Sequence, residues 1–252
     1  MNHNSLKNIG KNVLEAFWDI KDQHLDISLK SRNDAVTNID LNMQSLISGI
    51  IEEFESDTPI ISEENYSDHK VRESAWIIDP LDGTSNFIQG LNPIAVSIAK
   101  VHKNEVLCSI VIDLFSGDVY TALKNRGAYL NNNKLPLVKE NIKLIGLSTG
   151  YLKKGGEIPD GYNVRIIGSQ ALHLCLVASG VFSACLNHES KAWDDVAGSL
   201  IIKEAGFFYS NSYSDLNNWS QLAVDNSSLH SIASNNERLH KGLKKLMDHT
   251  YE

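Results

Sequence analysis

Apolar residues recur at intervals of three and four at the start of the chain. Leu6, Ile9, Val13, Leu14, Phe17 and Ile20 fall on one face of a helix. After a polar segment the same period returns from Ile39 to Phe54, and Ser56-Asp57-Thr58-Pro59 ends it. Two short apolar runs follow, Pro59-Ile60-Ile61 and Ala75-Trp76-Ile77-Ile78. Each ends in acidic residues, so each reads as a buried strand that delivers carboxylates at its end. Ile94 to Val101, Val106 to Ile112 and Val119 to Leu123 are rich in β-branched residues, with turns at His102-Lys103-Asn104-Glu105 and Ser116-Gly117-Asp118. They predict an antiparallel meander. Gly127 to Pro136 reads as a loop, and Ile142 to Leu147 as another strand.

The second half alternates. Val164 to Ile167 predicts a strand, and Ala171 to Ser179 a helix stopped by Gly180. Phe182 to Leu186 predicts a strand, and Asp194 to Ala205 a helix stopped by Gly206. Phe207-Phe208-Tyr209 resumes extended structure, and Leu239 to Met247 closes with a helix. The order predicts an α+β protein layered αβαβα. A single domain over residues 1–252 is expected, with two closely packed lobes meeting near residue 145.

Composition narrows the class. With 252 residues, 42% hydrophobic and 21% charged, the chain has material for a sizeable core. No apolar stretch approaches the roughly 20 residues of a membrane span, and Met1 to Lys11 is too polar for a secretory signal. Cys108, Cys175 and Cys185 are scattered, which excludes a disulfide scaffold or a cysteine-rich zinc site. A cytoplasmic chain that does not contact membranes is the expectation. Lys and Arg number 23 against 31 Asp and Glu, a net charge of -8. That balance argues against direct nucleic-acid binding, which needs clustered cations, and it raises the question of where the carboxylates gather.

The richest segment is Trp76-Ile77-Ile78-Asp79-Pro80-Leu81-Asp82-Gly83-Thr84-Ser85-Asn86-Phe87. An apolar strand runs out into Asp79, and Pro80 is expected to force a turn that sets Asp82 one turn on. Gly83 lets the backbone approach a ligand, and the Gly83 and Thr84 amides suit phosphate oxygens if they open a short helix. The plain alternative is a solvated acidic turn. Ile61-Ser62-Glu63-Glu64 brings a second pair of acids to a strand end, and Trp193-Asp194-Asp195-Val196-Ala197-Gly198 a third to a helix start. Asp40, in Val36-Thr37-Asn38-Ile39-Asp40, heads the second helix. Asp40 and Asp194 also suit plain N-capping.

In their order and spacing these segments, together with Lys30 to Asp40, resemble the inositol monophosphatase family of magnesium-dependent, lithium-sensitive phosphomonoesterases. The resemblance covers nearly the whole chain. It implies the layered sandwich fold and a homodimer. It also implies two or three Mg²⁺ ions, on Glu63, Asp79 and the Leu81 carbonyl and on Asp79, Asp82 and Asp194, with a third ion near Glu63. Asp40 and Thr84 match the pair that orients the attacking water, and the Gly83 and Thr84 amides match phosphate donors. Glu64 and Asp195 match supporting positions. The implied partner is a small phosphate ester such as inositol 1-phosphate; the superfamily also includes histidinol phosphate, fructose bisphosphate and nucleotide phosphatases. Some bacterial relatives contact transcription or ribosome-maturation machinery.

The chemistry of the residues agrees. Carboxylate, carbonyl and water ligands suit a hard ion, and paired ions flank an in-line displacement at phosphorus. Substrate contacts are expected at Gly168, Ser169, Gln170 and Asn187. Two of these depart from the inositol branch: Asn187 stands where a Glu accepts ring hydroxyls, and Gln170 where a small residue lies beside the ring, so Gln170 is expected to fill part of that space. Glu189 is a substitute for that Glu only if the loop re-registers. His173 reads as a core histidine and His188 as a loop histidine near substrate or solvent. Lys30 reads either as a steering cation or as surface. Lys153-Lys154-Gly155-Gly156 lacks the context of a phosphate loop.

Overall fold

The computed structural model describes residues 1–31, 34–137, 143–213 and 218–249. In chain order the first half gives α1 (His3–Ile20), β1 (Ile27–Ser31), β2 (Asp34–Thr37), α2 (Asn38–Phe54), β3 (Ile60–Ser62), β4 (Ser74–Asp82) and α3 (Thr84–Ile88). The meander is β5 (Ala95–His102), β6 (Glu105–Asp113), β7 (Val119–Leu123), β8 (Ala128–Leu130) and β9 (Asn133–Lys134). Then come β10 (Leu144–Leu147), α4 (Thr149–Lys153), β11 (Asn163–Arg165), α5 (Gln170–Ala178), β12 (Ala184–Ser190) and α6 (Ala192–Glu204). The chain closes with β13 (Phe208–Asn211), α7 (Trp219–Val224), β14 (Leu229–Ser234) and α8 (Glu237–His249).

Alternation along the strands builds the layers. In β4, Trp76 and Ile78 point to one face and Ala75 and Ile77 to the other, as the two-residue strand period requires. The Trp76 face of the seven-stranded sheet β3-β4-β5-β6-β7-β8-β9 is covered by Leu6, Val13 and Phe17 of α1 and Ile39, Met43, Ile47 and Ile51 of α2. The Ile77 face packs on α5 and α6 through Leu174, Cys175, Val196 and Ala197. The same buried cluster continues to Cys185 and Ala233 of the second sheet, ordered β11-β10-β12-β14-β13. Ile145, Leu186 and Ile232 on that sheet's far side meet Tyr151 of α4 and Leu243 and Met247 of α8. The stack is helix, sheet, helix, sheet, helix, as the element order predicts. Among the described residues no helix is long and apolar enough to cross a membrane.

Four local expectations are corrected. The polar segment before α2 forms an antiparallel hairpin, β1–β2, whose first strand is exposed throughout and so shows no alternation. Gly127 to Pro136 contains two strands, β8 and the edge strand β9. Pro80 does not force a turn: β4 runs on to Asp82, and the pairing with β5 slips between Asp79 and Asp82. Proline has no N–H to give the ladder, so a bulge is where a strand tolerates it. Neither Asp40 nor Asp194 is an N-cap; each is the third helical residue, facing back to Thr37 and Lys191. Ile142, and Arg32 and Asn33 of the Lys30 to Asp40 segment, lie outside the described residues.

Candidate active site

The site is assembled from strand ends and helix starts. At the head of α2, Asp40 Oδ2 accepts from the Thr37 N–H at 2.8 Å and from Thr37 Oγ1 at 2.5 Å, a reciprocal cap that fixes the carboxylate. Its free edge, Oδ1, accepts from Thr84 Oγ1 at 2.8 Å, and Thr84 Oγ1 also lies 3.0 Å from the Leu81 carbonyl. Gly83, immediately before α3, has φ 102, and a Cβ there would stand 2.8 Å from the Pro93 carbonyl. Only glycine fits. Asn86 of α3 donates to the Pro93 and Ile167 carbonyls at 2.8 and 2.7 Å, which fastens this loop to the segment carrying Gly168 and Ser169.

Asp82 lies on the start of α5. Oδ2 accepts from Ser169 Oγ at 2.6 Å and the Ala171 N–H at 2.7 Å, and Oδ1 accepts from the Gln170 N–H at 3.3 Å. Ser169 is also the N-cap of α5. Asp79 Oδ1 accepts from the Leu81 N–H at 2.9 Å, and Asp194 Oδ2 from the Lys191 N–H at 2.8 Å. On the open side, Lys30 of β1 donates to Glu63 Oε1 at 3.0 Å and Glu64 Oε1 at 2.7 Å.

The electrostatics show that the acids share one place. Burial raises the Asp79 carboxyl well above the usual range, and the charges of Glu63, Asp82 and Asp194 raise it further. Asp194 is raised well above its usual value by burial and then by Asp82 and Glu63. Burial pushes Asp82 up to about 6 against its three donors. Glu64 reaches about 7 through burial, with Lys30 opposing and Glu63 adding. For Lys30, burial works against the charge, but the Glu63 and Glu64 carboxylates win and raise it. Among the described residues no three His, Cys, Asp or Glu side chains already stand around one point. The donor set is nonetheless all oxygen, largely withdrawn from solvent and mutually repelling, which is the chemistry of a hard-cation site.

Two residues lie in surroundings other than those expected of them. Gln170 does not fill open space: its side chain is buried and donates from Nε2 to Asp195 Oδ1 at 2.7 Å and to Ser231 Oγ at 3.2 Å. His188 is no loop residue; it lies buried in β12 with its ring 4.0 Å from that of His230 on β14. Asn187, buried on β12, pairs across the sheet with Ser231. Gly168 takes φ 77 and abuts the Asn86 side chain. His173 is a core residue beside Phe182. Sequence reasoning missed Asn86, Tyr209 and Ser190 as supports. Asn86 stands inside the recognised loop, but Tyr209 and Ser190 reach Asp195 only through the fold, and no local pattern marks them.

The layered stack and the acidic cluster at its strand ends define a phosphatase-type α+β sandwich. The chain belongs to the inositol monophosphatase family, whose sequence profile matches residues 2–250. It is 36% identical over 209 residues to Nus factor SuhB of Pasteurella multocida, covering 77% of this chain and 78% of that one. It is 31% identical over 215 residues to inositol-1-monophosphatase of Rhizobium meliloti, covering 78% and 79%. An IMPase structure from Thermotoga maritima superposes with a TM-score of 0.79 at 26% identity, covering 98% of this chain and 95% of that one.

Proposed function

We propose that the chain is a Mg²⁺-dependent phosphomonoesterase acting on a small polyol or sugar phosphate, with inositol 1-phosphate as a substrate. The observation that carries this reading is the grouping of the buried Asp79 and Asp82 with the part-buried Glu63 and Asp194 beside the Thr84–Asp40 pair. Glu63, Asp79, Asp82, Asp194 and the Leu81 carbonyl would hold the metal. When bound, Mg²⁺ lowers the pKa of a coordinated water and offsets charge on the phosphate and leaving oxygen.

The chain's own groups do the rest. Asp40 is fixed by Thr37, which leaves its Oδ1 to accept from the Thr84 hydroxyl. An attacking water gives its proton to Thr84 Oγ1 as Thr84 passes its own to Asp40. The Gly83 and Thr84 amides bind phosphate oxygens, and Lys30 gives way on Glu63 as the site fills. Asn187 and Ser169 bound the substrate side, where a neutral amide in place of a carboxylate weakens the grip on ring hydroxyls.

Phosphate release from a panel of esters, measured with and without Mg²⁺, tests the reading; no release from any ester with Mg²⁺ present would end it. The relative named Nus factor SuhB favours a second role as a regulatory binding protein. The family resemblance implies transcription or ribosome-maturation machinery as its target. Co-purification of polymerase or ribosomal components with the tagged chain separates that role from catalysis.

A further inference from the structure

Two polar residues without a part in the proposed reaction face each other directly behind the acidic cluster. Gln170, the first residue of α5, holds Asp82 with its backbone N–H at 3.3 Å and Asp195 with its side-chain Nε2 at 2.7 Å. Asp195 follows Asp194 in the first turn of α6. Its second oxygen accepts from Tyr209 OH at 2.9 Å and Ser190 Oγ at 3.2 Å. Asp195 is 0% and Gln170 5% exposed.

Packing alone does not call for this arrangement. A buried carboxylate met only by neutral donors is costly, and an apolar pair of similar volume would join α5 to α6 more cheaply. Gln170 Oε1 is also buried and accepts no hydrogen bond among the described residues. Asp195 dictates that outcome, because the flipped amide would set two acceptors against each other. The costly pair stands where α5 presents its grip on Asp82 and α6 presents Asp194. A single residue, Gln170, thus touches one of these carboxylates directly and the neighbour of the other.

We propose that Gln170 and Asp195 form a positioning pair that locks the start of α5 to the start of α6 and so sets the spacing of Asp82 and Asp194 for a divalent cation. This rests on the metal-dependent reading above. It also gives Gln170 a task different from contacting substrate.

A double-mutant cycle on Mg²⁺ binding tests it, with Gln170→Leu, Asp195→Leu and the combined variant studied by calorimetry and thermal melting. Gln170→Leu should weaken Mg²⁺ binding about tenfold, the scale on which outer partners of metal ligands act. In the Asp195→Leu background the same change should cost less than about twofold, because its partner is gone. The combined variant should melt no lower than wild type while binding Mg²⁺ more weakly. Tyr209→Phe removes one of the donors that fix Asp195, so it loosens the pair and should weaken Mg²⁺ severalfold, which keeps the test alive where Gln170→Leu does not fold. Additive effects of the two leucines, or a combined variant with wild-type affinity, overturn the pair's role. A wild-type chain that binds no Mg²⁺ overturns the metal-dependent reading and the pair's role with it.

Discussion

Thr84 and Asp40 stand 44 residues apart in sequence and meet through a hydrogen bond of 2.8 Å. Asp40 is otherwise occupied by Thr37, so Thr84 is the group that connects this carboxylate to the space in front of the acids. Thr84→Val should therefore lower kcat by about 10²–10⁴, the usual contribution of a positioned proton acceptor. Thr84→Ser should keep most of the activity. Asp40→Asn should lose activity and also about 1 kcal/mol of stability, because it weakens the reciprocal cap of α2. Steady-state phosphate release and thermal melting check the three variants together.

Asp79 carries the second prediction. Its carboxylate is raised by burial and by three like-charged neighbours, so its ionised form opposes folding at neutral pH when no cation is present. Asp79→Asn keeps an oxygen for the Leu81 N–H and removes the repulsion. In EDTA the variant should melt above wild type; with Mg²⁺ the order should reverse, and phosphate release should be lost. For wild type, EDTA should abolish release, Mg²⁺ should restore it, and Li⁺ should inhibit uncompetitively.

Much of this was legible before the fold. The three-and-four spacing of Leu6 to Phe17 and the apolar runs ending in Glu63 and Asp79 foretold both the layers and the acids. Pro80 misled because a proline at a bulge and a proline in a turn share one local pattern; only the partner strand, with Ser97 and Ala95 opposite Asp79 and Asp82, decides between them. The hairpin of Lys30 was hidden because an exposed strand has no apolar alternation to read. Gln170 was misplaced for another reason: its partner Asp195 lies 25 residues on, and nothing local joins the two.

Asn187 provides the substrate prediction. It lies on β12 opposite Ser231, whose hydroxyl accepts from Gln170 at the start of α5. A neutral amide forms weaker hydrogen bonds to hydroxyls than a carboxylate does, by roughly 1–2 kcal/mol each. Inositol 1-phosphate should be hydrolysed with only modest preference over glycerol 2-phosphate. Asn187→Glu should raise kcat/KM for the inositol ester relative to the glycerol ester by about tenfold. Competition assays with both esters read the ratio directly, and a wild type that already prefers inositol phosphate by several orders of magnitude contradicts the assignment of Asn187.

His173 sets a limit on acid stability. The ring is 2% exposed, its Nε2 has no hydrogen-bond partner among the described residues, and burial pushes its pKa down from 6.5 to about 4. Between those values the unfolded chain binds a proton that the folded chain refuses. Stability contributed by the neutral ring is thus full above about pH 6.5 and declines as pH falls toward 4, by up to roughly tenfold in the unfolding equilibrium per pH unit. The integrated loss is about 3 kcal/mol. Asp79 and Asp82 are raised by burial and shift the opposite way, so the wild-type curve alone does not isolate the histidine. The difference between wild type and His173→Leu does, because the acids are common to both. Leucine is uncharged at every pH and sits among the same apolar neighbours, Phe182 and the Gly146 backbone. The variant should therefore gain on wild type steadily from pH 6.5 to pH 4 in chelator-containing buffer, as read by urea unfolding at fixed temperature. Parallel curves across that window would mean that the folded protein accepts the proton on His173 without cost.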